Sequence, residues 1–231
     1  MLPASIRKPL GRALLRQIQY RRAAKEARTL RKFRGIIHVG GNLGQEQQAY
    51  GIAGLNVLWI EPIPAVFARL KASISRWPKQ KALNYLVLDE DRKDVTLHIS
   101  NLDGAASSVL DMAGSLDIWP DVTFQSDLQL TGYTLDTIID REGIDVSLYD
   151  AAILDTQGSE LMVLKGAARV LHQINYIQVE AADFEAYKGC PYPKDIAAYL
   201  SAFGFCEIER KSIGKAPHGG QYWEIAYSKA Q

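Results

Sequence analysis

Apolar and polar positions follow two rhythms along residues 35–228. GIIHV (35–39), NVLWIE (56–61), KALNYLVL (81–88), YDAAILD (149–155) and INYIQVEA (174–181) are nearly continuous apolar runs. Their length and continuity predict strands buried on both faces. Between them, apolar residues recur three and four apart over 44–54, 64–77, 133–143, 159–173 and 193–205, which predicts helices. Pro64 suits a first helical turn, and Gly54 and Gly204 suit helix ends. DVTLHIS (94–100) alternates like a half-exposed strand, whereas NLDGAASS and the stretch to about residue 127 have weak periodicity. CEIERKS (206–212) and QYWEIAYS (221–228) flank a Gly/Pro-containing loop and predict a terminal hairpin.

Strand–helix repetition with buried strands implies an α/β fold, a parallel sheet covered on both faces and ending in an antiparallel pair. With 231 residues and 47% hydrophobic content, one sizeable core is expected. In such sheets a ligand lies beyond the C-terminal strand ends. GGNLG, EPIP and DTQGSE fall there.

Charge changes the picture at one end only. Residues 1–34 hold eleven Lys/Arg against the single acid Glu26, a balance of +10, which leaves −9 for the other 197 residues of a chain whose net charge is +1. The boundary divides a basic arm, 1–34, from a globule, 35–231. Within the arm Ile6, Leu10, Leu14 and Ile18 stand four apart, one face of an amphipathic helix. Packing on the globule, a partner or an anionic membrane are the readings of residues 5–34; nucleic acid is disfavoured, because Tyr20 and Phe33 are the only aromatics there for stacking. No apolar run reaches the roughly 18 residues of a bilayer span. Cys190 and Cys206 have no metal or redox spacing and read as thiols of a reducing, cytoplasmic compartment. No metal site is expected.

HVGGNLG follows a strand directly and opens a helix. Glycines let the chain turn tightly and a ligand approach the backbone, and a helix start offers free N–H groups. The spacing differs from the dinucleotide pattern G-x-G-x-x-G. Glu61 ends the second strand, where an acid can accept both hydroxyls of a ribose. Asp155 ends the strand before DTQGSE, next to the glycine loop if the winding is normal. Tyr187, Lys188 and Tyr192 in EAYKGCPYP add aromatic and polar groups to the same rim.

HVGGNLG, EP at 61–62, VTLHISNLDGAASS, TLD at 134–136, DTQGSELMVLKG and VEAADFEAYKG at 179–189 together resemble the FkbM-type family of S-adenosylmethionine-dependent methyltransferases over roughly residues 35–228. His38 stands where that family often has aspartate, Gly41 where it has alanine, and the serine loop is thinned. The resemblance implies a Rossmann-like class I methyltransferase sandwich and methyl transfer, most often to a sugar hydroxyl of a glycan, glycolipid or natural product. It implies cofactor contacts at His38, Gly40, Gly41, Asn42, Gly44, Glu61, Pro62, Ser107, Ser108 and Asp155. Gln157, Glu160, Tyr187 and Lys188 then face the acceptor. A hydroxyl acceptor needs a base, for which Asp155 and Glu180 are preferred over His38 and His98. Methylation of another small-molecule oxygen or nitrogen, or a silent cofactor-binding adaptor with a basic arm, are the alternatives.

Overall fold

The computed structural model describes residue 17 and residues 19–229. Residues 1–16 and 18, and with them the Ile6–Leu10–Leu14–Ile18 stripe, lie outside the described residues. Helix α1 (19–30) leads into strand β1 (Gly35–Val39), and the chain continues through α2 (Gln47–Ala53), β2 (Asn56–Ile60), α3 (Pro64–Ile74), β3 (Gln80–Leu83) and β4 (Leu86–Val87). Then come β5 (Arg92–Ser100), β6 (Phe124–Tyr133), α4 (Leu135–Arg141), β7 (Ala151–Leu154), α5 (Glu160–Lys165) and α6 (Ala168–Gln173). The last elements are β8 (Tyr176–Ala182), α7 (Pro193–Ser201), β9 (Phe205–Lys215) and β10 (Gln221–Lys229).

Seven strands form the main sheet in the order β3-β2-β1-β7-β8-β10-β9. All pairings from β3 to β8 are parallel, and β10 runs antiparallel to both β8 and β9. Successive residues of a strand face opposite sides, so Ile36 packs with Trp59 and Leu70 on one face while Ile37 packs with Leu58, Ile138 and Val163 on the other. Helices cover both faces, giving a Rossmann-like three-layer sandwich. Chain order reverses between β1 and β7, and their C-terminal ends open a crevice there. Gly40 and Asp155 leave those two ends.

Three elements differ from the sequence expectation. The run 81–88 is two strands, because Asn84 turns its amide onto the Glu61 and Pro62 carbonyls, and β4 departs to a second sheet of order β4-β6-β5. The helix expected over 159–173 breaks at Gly166, where a β-carbon would strike the Leu88 carbonyl. The weak periodicity to about residue 127 predicts no strand there; β6 nevertheless pairs antiparallel with β5 from Phe124 onward, its polar stretch 125–127 exposed while Phe124 and Leu130 pack inward. In the arm, α1 buries Ala23 and Ala27 and exposes its basic side chains. Among the described residues no helix is long and apolar enough to cross a membrane.

Candidate functional site

The glycine loop is built by close approach. Gly40 has φ +86°, and a β-carbon on it would collide with the Asp155 carbonyl oxygen. A side chain there would force β1 and β7 apart. A β-carbon on Gly41 would lie 3.0 Å from the Trp59 ring. Asn42 also adopts a positive φ, +40°. Its side chain donates to the Asp103 carbonyl at 3.2 Å and accepts from Gln45 Nε2 at 3.1 Å. Gly44, with φ +69°, shapes the turn before α2 rather than the cleft wall, and α2 begins only at Gln47.

Glu61 ties this loop to the exit of β2. Its Oε2 accepts the Asn42 N–H and its Oε1 the Ile63 N–H, both at 2.9 Å. Each oxygen keeps a lone pair for a further donor. Glu61 is 4% exposed, and burial pushes its carboxyl up to about 7 despite the two backbone bonds. From Glu61, Pro62 and Tyr85 a cleft with about 880 Å³ of empty space runs past Gly40 and Gly41 to Asp155.

At the far end the carboxyls gather. Burial raises Asp155 above the usual carboxylate range, while the hydrogen bond from Gln157 Nε2 opposes the shift. Glu180, one strand over, is raised further by burial and by Asp155 and Glu160 nearby. Glu46, which the sequence reading missed, also lines the cleft and is pushed up to about 7 by burial. Its signal was faint, a lone acid at the start of α2.

Several expected contacts are placed differently. His38 is buried and stacks on Trp59 at 4.7 Å, with Nδ1 3.2 Å from the Tyr50 hydroxyl. Burial lowers its pKa to about 3, which keeps the ring neutral and unfit to collect a proton at neutral pH. Ser107 and Ser108 line the cleft, yet their hydroxyls brace loops: Ser107 Oγ accepts the Ser100 N–H at 3.0 Å, and Ser108 Oγ donates to the Gln157 carbonyl at 2.7 Å. Glu160 does not face an acceptor. It is fully buried and receives the Thr156 and Gly158 N–H groups, folding the turn before α5. Lys188 does not line the cleft and is paired with Asp111 at 3.2 Å, and His98 lies out on β5 with Asp127 at 2.7 Å. Gln157 and Tyr187 are together, the Tyr187 hydroxyl donating to Gln157 Oε1 at 2.7 Å.

Solved structures of similar form include magnesium protoporphyrin IX methyltransferase from Synechocystis PCC 6803 with bound SAM, at 11% identity and a TM-score of 0.42 over 84% of this chain and 69% of that one. A second is 1,6-didemethyltoxoflavin-N1-methyltransferase from Burkholderia thailandensis, at 11% identity and a TM-score of 0.46 over 92% of this chain and 79% of that one. Likenesses of this size add nothing to the strand order described above. No curated protein matches the sequence. Residues 38–206, however, match the methyltransferase FkbM domain, a span that runs from the glycine loop through Glu61, Asp155 and Glu180 into β9. The chain belongs to the FkbM methyltransferase family.

Proposed function

We propose that the chain is an S-adenosylmethionine-dependent O-methyltransferase whose acceptor is a sugar hydroxyl of a glycan, glycolipid or natural product. The observation that carries the reading is the cleft at the sheet's reversal point, with a glycine-lined wall at one end, the half-satisfied Glu61 carboxylate and the Asp155 carboxyl at the other. These residues fit the cofactor. Glu61 presents its two remaining lone pairs to a ribose diol. Gly40 and Gly41 leave the backbone bare for the amino-acid portion, and Asp155 and Glu46 are anions in waiting for its positive groups. When bound, the cofactor supplies a methyl group on a positively charged sulfur, and methyl transfer leaves a neutral thioether.

What this chain then contributes is position and a proton sink. The acceptor oxygen must stand in line with the methyl group, and its proton must leave as the new C–O bond forms. We assign that proton to Glu180 on β8 or to Asp155 at the exit of the adjacent strand β7. A carboxylate ionised in a buried site is a stronger base than one in water, because burial favours its protonated form.

Calorimetric titration with S-adenosylhomocysteine tests the cofactor half. Glu61→Ala should weaken binding by about one to two decades per ribose bond lost, each worth roughly 1.5–3 kcal/mol. Equal affinity for both proteins overturns it. Mass spectrometry of glycans and glycolipids from cells with and without the active chain, shown to bind cofactor, tests the acceptor half. A methyl group present only with the active chain is expected; identical glycans in the two, with cofactor binding intact, overturn it.

We further propose that the basic arm rests on an anionic membrane surface and brings the enzyme to a lipid-linked acceptor. The exposure of Arg21, Lys25 and Arg28 on α1 supports this.

A further inference from the structure

A second cavity, with about 560 Å³ of empty space, adjoins the cofactor cleft and shares Ala105 and Gln157 with it. We propose that this cavity is the acceptor site and that it takes an uncharged, hydroxyl-bearing ring, seated against Trp119 and Tyr222 with one hydroxyl on Ser115 and the reacting edge toward Glu180. The inference rests on the methyl-transfer reading above.

The walls are fixed. Trp119 packs edge-on to Tyr222 with ring centroids 5.3 Å apart, and the residue is 38% exposed. Tyr187 closes the side nearest the cofactor and is tied to Gln157. The turn that carries Ser115 is pinned by its N–H to the Ala186 carbonyl, while its carbonyl accepts the N–H groups of Ile118 and Trp119.

Ser115 gives the ligand its chemistry. Its side chain is 5% exposed, lines the cavity, and its Oγ has no hydrogen-bond partner. A buried hydroxyl normally finds one. A hydroxyl both donates and accepts, so its natural complement is another hydroxyl. The remaining lining is chiefly aromatic and aliphatic, as in pockets where a few polar groups orient a mostly apolar ring.

Charge sets the rest. Among the described residues lining either cavity there is no Lys or Arg, while Asp155 and Glu46 line the cofactor cleft and Glu180 the second cavity. An anionic ring meets only repulsion. Glu180, opposite Glu224 in the β8–β10 ladder, is left to the acceptor's proton rather than to a fixed cation on the ring.

The test uses the full chain and three sugars that share one ring: methyl glucopyranoside, glucosamine and glucuronate. Saturation-transfer NMR is recorded with each sugar at saturating S-adenosylhomocysteine, whose own affinity is measured first by calorimetry. Methyl glucopyranoside should give transfer and glucuronate none. Trp119→Ala should weaken the glucopyranoside at least about tenfold and Ser115→Val about fivefold, with S-adenosylhomocysteine affinity unchanged within twofold, which shows that the variants fold. The proposal falls if the glucopyranoside does not bind, if neither variant weakens it, or if a charged sugar binds more tightly. If S-adenosylhomocysteine fails to bind the unaltered chain, the methyl-transfer reading falls first and takes this inference with it.

Discussion

The Tyr187 hydroxyl donates to Gln157 Oε1 at 2.7 Å, and Gln157 Nε2 donates onward to Asp155 Oδ1. This chain crosses from the second cavity to the cofactor cleft. It also holds Gln157 at φ +54°, a left-handed conformation that L-residues adopt at a cost of about 1–3 kcal/mol. Tyr187→Phe removes the donor and leaves the Gln157 oxygen without its partner. Unfolding in urea should then show a loss of about 1–3 kcal/mol. Unchanged stability would mean that the Gln157 conformation needs no support from Tyr187.

Glycine positions supply a sharper contrast. Gly40 and Gly54 have similar φ angles, +86° and +78°, but a β-carbon at Gly40 meets the Asp155 carbonyl whereas one at Gly54 meets nothing within 4 Å. Gly54→Ala should cost about 1 kcal/mol, the backbone penalty alone. Gly40→Ala adds a steric collision between the two strand exits and should cost at least about twice that, with Tm lower by roughly 5–10 °C. Equal melting temperatures for the two variants would show that the β1 and β7 exits do not approach as described.

Much of this arrangement was legible from residues alone, for a physical reason. Buried parallel strands such as GIIHV and NVLWIE must be apolar throughout, and a chain that turns tightly at their ends must use glycine, so the glycine loop, Glu61 and Asp155 all announced their places. Strand β6 did not. Its stretch 125–127 is polar and exposed and is held by ladder bonds to β5, which leave no mark in side-chain polarity. Nor did the second cavity, where Ser115 and Trp119 from one turn meet Tyr222 from a distant strand. Glu160 was set facing the acceptor by the resemblance alone, whereas its carboxyl binds the turn's own N–H groups.

Stability should fall as pH rises from about 4.5 to about 7. Glu46, Glu61 and Glu160 each have an ordinary carboxyl value of 4.5 and are pushed up to about 7 by burial. Between those values these three groups hold more protons in the folded chain than in the unfolded one, so the stability they contribute is fully present below 4.5 and is lost as pH climbs through 7. S-adenosylmethionine, a cation at sulfur, prefers the ionised form of Glu46 and Asp155 at the far end of the cleft, and its affinity relative to neutral S-adenosylhomocysteine should grow over the same window. Calorimetry of both ligands at pH 5.5 and 7.5 checks this. A ratio of affinities that stays flat with pH would show that these carboxyls do not sense the sulfonium charge.

The arm is tested best by point substitutions rather than by removal. Helix α1 buries Ala23 and Ala27, and Phe33 packs on Tyr176 with centroids 4.8 Å apart, so deleting residues 1–34 would bare apolar surface and confuse attachment with folding. Arg21, Lys25 and Arg28 are exposed and recur at helical spacing along one side of α1. Changing all three to Gln leaves the buried alanines in place. A basic residue near an anionic leaflet contributes about 1 kcal/mol, so the triple variant should bind anionic vesicles roughly 100-fold more weakly. Salt should weaken the unaltered chain likewise, because screening acts within about 8 Å at physiological ionic strength. The measurement is sedimentation with phosphatidylserine and phosphatidylcholine vesicles at low and high salt, alongside S-adenosylhomocysteine titration as a check that the cleft is intact. Binding to phosphatidylserine alone, lost in the triple variant with the cleft unaffected, is the expected result. A chain that ignores both vesicle types, or a triple variant that sediments like the original, would leave the positive charge of α1 without a membrane role and make packing against the domain its whole purpose.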